Sequence, residues 1–375
     1  MVNINWPNGL STQKFLNEYW QKKPLLIENA LPGFDTPVSP DELAGMSLEE
    51  GTTPRIITQD ENGHYQLEHG PFKPNRYDSI GNKNWSLLVT DCEKHWPELA
   101  EWIEPFQFLP RWRMDDLMIS FAPDNASVGA HIDEYDVFLL QASGKRRWHI
   151  DASDKPDETL VENSTLRILA NFQATDSWEL SEGDVLYLPP GVPHHGVAVG
   201  DRCTTWSIGF RAPSNLDVLD TFSEVLLDNL PLERFDDPPL NAMKSAEISP
   251  EAIDRLRDLW NKTTQLSDEE LVRLSGHLLT RGGVAFDNNL TSFSAYSHQK
   301  LSWHSFTQVA YVLNNDSAEL FVNGTAYRCS EAFAKTIADC VGEIQLPQTL
   351  NVEDQETLTK IVASGALIDA NERTS

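Results

Sequence analysis

Between Asp115 and Phe210 the chain is a succession of short apolar stretches separated by turn-forming residues: Leu117–Phe121, Val137–Gln141, Arg147–Ile150, Asp184–Leu188 and Thr204–Phe210. Strands this short and this evenly spaced bury their apolar faces only by stacking into a sandwich or barrel. The spacing therefore predicts a jelly-roll barrel in the first half of the chain. Upstream, Ser11 to Tyr19 reads as a capped helix, and Trp20 to Ile27 as a strand begun by Pro24. Ser143-Gly144, between the arms Val137–Gln141 and Lys145–Ile150, reads as a hairpin turn.

After Arg211-Ala212-Pro213 the texture changes. Ser214 with Asp217 forms a capping pair, and Val218, Leu219, Phe222, Val225 and Leu226 then recur at helical spacing. A Pro-rich acidic linker at 236–239 follows. Ser249-Pro250 then starts a helix through Leu259, and Ser267 with Glu270 caps another that runs to about Thr280. Beyond it strands and helices mix. Asn323-Gly324 joins two strand-like arms, a strong hairpin signal, and helices are expected from Ser330 to Cys340 and from Val352 to Ser364. The expected organisation is α+β, with a barrel domain over 1–212, a helical segment over 213–281 and a mixed module over 282–375.

Asp and Glu number 57 against 29 Lys and Arg, a net charge of -28. Such a surface repels nucleic acid and anionic lipid and attracts basic partners. Cys92, Cys203, Cys329 and Cys340 form no CxxC pair, which excludes a zinc ribbon or a thioredoxin-like motif and fits reduced thiols. The first residues carry no basic stretch followed by an apolar one, and no apolar run is long enough to cross a bilayer. The expectation is a cytoplasmic protein with no membrane partner.

The chemistry is concentrated in Gly129-Ala-His131-Ile-Asp133-Glu-Tyr135-Asp-Val-Phe138. Side chains two apart on a strand share a face, so an imidazole and a carboxylate meet there. One more histidine from a distant strand would complete a 2-His-1-carboxylate facial triad for a first-row metal. Glu182-Gly-Asp-Val-Leu-Tyr-Leu-Pro-Pro-Gly191-Val-Pro-His194-His195-Gly196 supplies it. Adjacent residues point to opposite sides of an extended chain, so either His194 or His195 is the ligand, not both. In the basic run Lys145-Arg146-Arg147, parity puts Arg146 on the face of Trp148, where a guanidinium can grip a dicarboxylate with two hydrogen bonds. On the strand Asp115–Phe121, parity groups Asp116, Met118 and Ser120. Ser120 can hydrogen-bond a ligand carboxylate. Asp116 either faces solvent or receives a cation, because a buried carboxylate without a partner is costly.

These residues resemble the JmjC-type ribosomal oxygenases. The matching pieces are Tyr19-Trp-Gln-Lys-Lys-Pro24, Met114-Asp-Asp-Leu-Met-Ile-Ser-Phe121, His131-Ile-Asp-Glu-Tyr-Asp-Val-Phe138, Gly144-Lys-Arg-Arg-Trp148, the block from Pro189 to Gly196, and Ser207-Ile-Gly-Phe-Arg-Ala-Pro213. The resemblance implies a double-stranded β-helix of cupin-like type, followed by a helical dimerisation segment and a winged-helix-like C-terminal domain, in a homodimer. It implies that His131, Asp133 and His194 ligate Fe(II), which settles the choice of histidine. It further implies that Arg146 and Ser120 bind 2-oxoglutarate, with O2 as the second co-substrate. Asp116, Tyr135 and Ser207 would hold a substrate arginine of a large-subunit ribosomal protein, hydroxylated at its β-carbon. Ribosomal proteins are basic, so the acidic surface suits such a partner. Few basic residues in the last module argue against direct nucleic-acid binding. Two other readings stand beside this one: the same chemistry on histidine or methylated lysine, and a non-catalytic metal-binding cupin acting as a sensor. The carboxylate of Asp116 speaks for a cationic target, and the inward Arg146 for a co-substrate.

Overall fold

A computed structural model of the chain describes residues 3–96, 99–229, 232–237, 248–282, 300–315, 317–340, 342–347 and 349–370. It divides into two compact units, Met1–Ala212 and Pro213–Ser375.

The first unit is built on one antiparallel nine-stranded sheet. Its strands are β1 (Leu25–Ile27), β2 (Thr53–Gln59), β3 (Tyr65–His69), β4 (Trp85–Thr90), β5 (Met114–Ala122), β6 (Asp136–Ile150), β7 (Asp176–Leu180), β8 (Val185–Leu188) and β9 (His194–Phe210). Neighbours run in the order β1-β8-β6-β9-β5-β4-β2-β3, with β7 paired to β6. Two strands, β6 and β9, are long enough to serve both halves of the barrel. Near its start β6 pairs with β8 and with the end of β9, Leu140 opposite Trp206. Near its end it pairs with β7 and with the start of β9, Ile150 opposite His194.

The expected hairpin at Ser143-Gly144 is not formed. The chain continues as one strand, and the register slips between Gln141 and Ser143 and again between Ser143 and Lys145. Gly144 has φ +62, and a Cβ there would lie 2.5 Å from the Arg202 carbonyl oxygen. A glycine with positive φ serves a bulge as readily as a turn, and here the bulge bends the strand from one half of the barrel into the other. The buried Gln141 amide braces the bend by donating to Ser143 O (2.8 Å) and Thr204 O (3.2 Å).

Alternation along β6, β8 and β9 divides the apolar residues between two clusters. Phe138, Leu140, Tyr187, Trp206 and Ile208 face a large core with Phe15, Leu43 and Phe106. Val137, Leu139, Trp148, Ile150, Leu186 and Leu188 face the inside of the barrel. The helix Thr12–Glu18, capped by Ser11 as expected, contributes Phe15 to the outer core. A buried polar knot ties that layer to the barrel. The Asp136 carboxylate accepts from Tyr187 Oη (2.6 Å), Arg113 Nη2 (3.0 Å) and Gln21 Nε2 (3.2 Å).

In the second unit the helices Asn215–Asn229, Pro250–Thr263 and Asp268–Thr280 appear with the caps read at Ser214, Ser249 and Ser267. Part of the linker read at 236–239, and the Val225 side chain, lie outside the described residues. Strands β10 (Leu301–Trp303), β11 (Val309–Asn314), β12 (Ser317–Val322), β13 (Thr325–Ser330), β14 (Glu343–Ile344) and β15 (Leu367–Asp369) form two three-stranded sheets, β14-β10-β15 and β11-β12-β13. Asn323 (φ +48) and Gly324 (φ +80) make the tight turn between β12 and β13. Helices Glu331–Ala338 and Val352–Ala363 pack Phe333, Ile337, Leu358 and Ile361 into this unit's core. Among the described residues no helix is long and apolar enough to cross a membrane.

Replacing Gly144 by alanine forces a side chain into left-handed backbone and against Arg202 O. It should cost about 1–3 kcal/mol, read as a lower urea midpoint. An unchanged midpoint would mean that the bulge is dispensable.

Candidate active site and metal centre

The start of β9 is paired on both sides. On one side it meets the end of β6. On the other it meets the segment before β6, where Asn125 N donates to Ala198 O (3.0 Å) and His131 and His194 exchange backbone hydrogen bonds of 3.0 and 2.9 Å. Residues directly opposite in antiparallel strands share a face, so His131, His194 and Ile150 all point inward. The extended pairing expected for His131 and Asp133 is confined to this one bridge at His131. Asp133 lies past the strand end, where its carbonyl accepts from Gly191 N (2.9 Å) in the Pro-Pro-Gly turn.

Donor atoms of His131, Asp133 and His194 all lie within 4.8 Å of one another. Asp133 Oδ1 is 3.8 Å from His131 Nε2, and Oδ2 is 3.5 Å from His194 Nε2. Ligand atoms about 2 Å from a first-row ion stand roughly 3 Å apart, so small side-chain rotations close the set around one. The tautomers fit as well. His131 Nδ1 is 3.0 Å from Gly129 O, and His194 Nδ1 is 2.9 Å from Val192 O. A carbonyl only accepts, so each Nδ1 carries the proton and each Nε2 presents its lone pair to the shared point. Burial, then the neighbouring His131, lowers His194 to about 4, leaving it neutral as a ligand must be. The His194 side chain is sealed (2% exposed) while Asp133 (22%) and His131 (26%) are open, so the centre is reached from their side. His195 faces the other way, its ring 6.1 Å from those of His149 and Phe172.

Arg146 is buried on the inward face, whereas Lys145 and Arg147 lie outside and pair with Glu179 at 3.2 and 2.8 Å. Arg146 Nε and Nη2 are buried and have no hydrogen-bond partner among the described residues. A buried guanidinium whose carboxylate-gripping edge is unmatched is suited to an anionic ligand. Ser120, also buried, lies opposite Thr205 of β9 and donates to its carbonyl (3.3 Å).

Asp116 sits farther along β5, on the face of Met118 and Ser120. A Cβ at Gly209 would lie 3.1 Å from Asp116 Oδ1 and 3.7 Å from the Tyr135 ring, so these two side chains converge over a glycine. Burial, then the like charges of Asp115 and Asp91, raises Asp116 to about 6, while Lys94 and Arg55 oppose the rise. Ser207 lies opposite Met118 and Leu139 on the same inward face.

Two residues near this pocket drew no attention in the sequence. Arg55 of β2 stands opposite Leu88, itself opposite Ser120, and its Nη2 contacts Met118 Sδ at 3.3 Å. The available signal was that Arg55 is the one charged residue of its strand. Glu93 accepts from Leu117 N (2.9 Å), and burial pushes its carboxyl up to about 8; nothing in the local sequence marks it.

If the triad is the metal site, His131→Ala and Asp133→Ala should each weaken Mn(II) or Co(II) binding by more than the roughly 10–100-fold that loss of a supporting partner costs. His195→Ala should leave it nearly unchanged. Calorimetric titration reads this directly, and retained affinity in Asp133→Ala would place the ion elsewhere.

The JmjC domain family model matches residues 101–218. The "Ribosomal protein uL16 3-hydroxylase" of Escherichia coli (strain K12) is 37% identical over 261 residues, covering 69% of this chain and 67% of that protein. The "Probable ribosomal oxygenase" of Haemophilus influenzae is 32% identical over 281 residues, covering 75% of this chain and 66% of that protein. The aligned stretches thus span about two thirds of each relative's length. Among solved structures, the E. coli ribosomal oxygenase YcfD in complex with cobalt and 2-oxoglutarate superposes with a TM-score of 0.78 at 28% identity, over 98% of this chain and 99% of that one. With its cupin-like barrel and the His131–Asp133–His194 cluster, the chain belongs to the JmjC-domain ribosomal oxygenase family.

Proposed function

We propose that the protein is an Fe(II)- and 2-oxoglutarate-dependent oxygenase that hydroxylates the β-carbon of an arginine in a large-subunit ribosomal protein, the uL16 counterpart. The observation that carries this reading is the triad of facing donors beside a buried arginine whose carboxylate-gripping edge is unmatched. Fe(II) with 2-oxoglutarate and O2 supplies an oxidant able to hydroxylate an unactivated C–H bond, with succinate and CO2 as co-products.

The chain's own residues do the rest. His131, Asp133 and His194 would hold the metal, and three protein donors would leave coordination positions for ligands. Arg146 fixes the distal carboxylate of 2-oxoglutarate, with Ser120 as a further contact. Asp116 takes the guanidinium of the substrate arginine, and Tyr135 and Ser207 line its path. The apolar inner wall of Val137, Leu139, Trp148, Ile150, Leu186 and Leu188 keeps water from a reactive centre. One matched relative is named for lysine demethylation and histidyl hydroxylation, but a carboxylate facing the pocket has less reason to exist for a histidine target.

The domain reading follows the same line: 1–212 as the catalytic domain, 213–281 as a helical dimerisation segment and 282–375 as a winged-helix-like domain, in a cytoplasmic homodimer. Leu216, Leu219 and Leu227 on the first of the segment's helices, and Ile253, Leu256 and Trp260 on the second, are exposed, which supports self-association through that segment. The net charge of -28 favours a basic protein partner over nucleic acid.

The reading is tested by incubating the protein with Fe(II), 2-oxoglutarate, air and a ribosomal protein mixture, then locating by mass spectrometry any residue that gains one oxygen. An arginine in one large-subunit protein is expected. Oxygen gained on a histidine, or no gain at all, would overturn it. Asp116→Asn should raise the KM for the target peptide about 10–100-fold while uncoupled 2-oxoglutarate decay changes little. In the unaltered protein, peptide affinity should fall as pH drops through about 6, because protonated Asp116 no longer attracts a cation. Equal loss of both reactions in the variant would contradict the role.

A further inference from the structure

Past the bulge, β6 turns Arg146, Trp148 and Ile150 to the inward face. Arg146 is 3% and Trp148 5% exposed. Three nitrogens here are buried and find no acceptor among the described residues: Arg146 Nε, Arg146 Nη2 and Trp148 Nε1. The two on Arg146 form one edge of the guanidinium, the edge that holds a carboxylate through parallel hydrogen bonds. The third is less expected, because a buried indole N–H ordinarily has an acceptor.

The placement of the indole is tightly determined. The Arg146 guanidinium carbon lies 5.6 Å from the Trp148 ring centroid, and the His194 ring centroid lies 5.7 Å away. The indole thus stands between the arginine and a histidine of the metal centre. Directly across the strands is Gly196, where a Cβ would come within 2.6, 2.7 and 2.9 Å of Trp148 Cζ3, Cη2 and Cε3. The benzo edge is pressed against the backbone at Gly196, which turns the pyrrole edge and its N–H away from β9. This also gives the last glycine of the Pro189–Gly196 block a reason to be glycine.

We propose that Trp148 binds the co-substrate: its Nε1–H donates a third hydrogen bond to the carboxylate gripped by Arg146. The proposal rests on the reading of Arg146 as the 2-oxoglutarate anchor. Three donors from one strand face, two of them charged, match the several lone pairs that a carboxylate offers. The indole holds its donor in place because the Gly196 backbone and the neighbouring Arg146 side chain confine the ring. A lysine or serine at this position would have no such fixed direction.

The test is 2-oxoglutarate binding to the Mn(II)-loaded protein without O2, measured by calorimetry, so that turnover plays no part. Trp148→Phe keeps an aromatic side chain but loses the pyrrole half of the indole with its N–H; it should weaken 2-oxoglutarate binding by about tenfold or more at unchanged Mn(II) affinity. Gly196→Ala keeps every donor but displaces the ring, and should weaken the same binding. Unaltered 2-oxoglutarate affinity in Trp148→Phe would overturn the proposal, as would an equal loss of Mn(II) affinity, which would reduce Trp148 to a prop for His194. Should Trp148→Phe fail to fold, indole-labelled wild-type protein decides by NMR. One of its 11 tryptophan N–H signals moving downfield on adding 2-oxoglutarate supports the hydrogen bond, and none moving overturns it. Failure of the unaltered protein to bind 2-oxoglutarate at all would instead reject the co-substrate reading on which the proposal stands.

Discussion

The start of β9 is hydrogen-bonded on both sides, to the His131 segment and to the end of β6, and the candidate centre depends on that double pairing. Remove either partner and His194 loses its register. Since side chains alternate along a strand, a slip of one residue would carry His194 outward and His195 inward. The pairing is protected by the bulge at Gly144, which lets β6 follow β9 around the bend, and by Gln141, which closes the polar groups that the bulge leaves open. Backbone geometry thus selects the ligand before any side-chain chemistry enters.

A second constraint fixes Asp133. It lies outside regular structure, so something else must hold its neighbourhood in place. Three residues on, Asp136 is fully buried and held by Tyr187, Arg113 and Gln21. Tyr187 lies on β8 just before the Pro-Pro-Gly turn that grips the Asp133 carbonyl, and Gln21 comes from the N-terminal layer. Arg113 also donates to Arg211 O (2.7 Å), which anchors the end of the barrel domain's last strand. A buried ion pair rarely adds much net stability, but breaking one is costly, so this knot serves chiefly to specify one arrangement. The N-terminal helix and strand are thereby part of the site's support, although they hold none of its ligands.

The strand pattern, the helix caps and the Asn323-Gly324 turn were legible because they are local: their signals lie within a few residues of the structure they cause. The inward position of Arg146 was legible too, since the parity of Arg146 and Trp148 holds whether Ser143-Gly144 is a hairpin turn or a bulge. What could not be read was register. Gly144 looks the same in a hairpin and in a bulge, and only the opposite strand, nearly sixty residues away in sequence, decides between them. The Asp136 knot stayed hidden for a related reason: Gln21, Arg113, Asp136 and Tyr187 are ordinary residues that become a unit only once folded. Arg55 escaped because its meaning depends on a chain of cross-strand neighbours through Leu88 to Ser120.

Three arginines of the barrel unit show how partners separate roles within one residue type. In an acidic chain a buried guanidinium has carboxylates to choose from, so a missing partner is informative. Arg113 has found one in Asp136 at 3.0 Å, and its task is internal. Arg55 meets a methionine sulfur at 3.3 Å, with Asp116 close enough to feel its charge, and so tempers the carboxylate assigned to the substrate. Arg146 presents its gripping edge with nothing among the described residues to meet it, on the same face as the unpaired indole N–H of Trp148. Desolvating a cation without an internal counter-charge costs stability. The fold carries that cost at Arg146, and the smaller cost of an unmet N–H at Trp148, beside the centre, where an incoming carboxylate would recover both as binding energy.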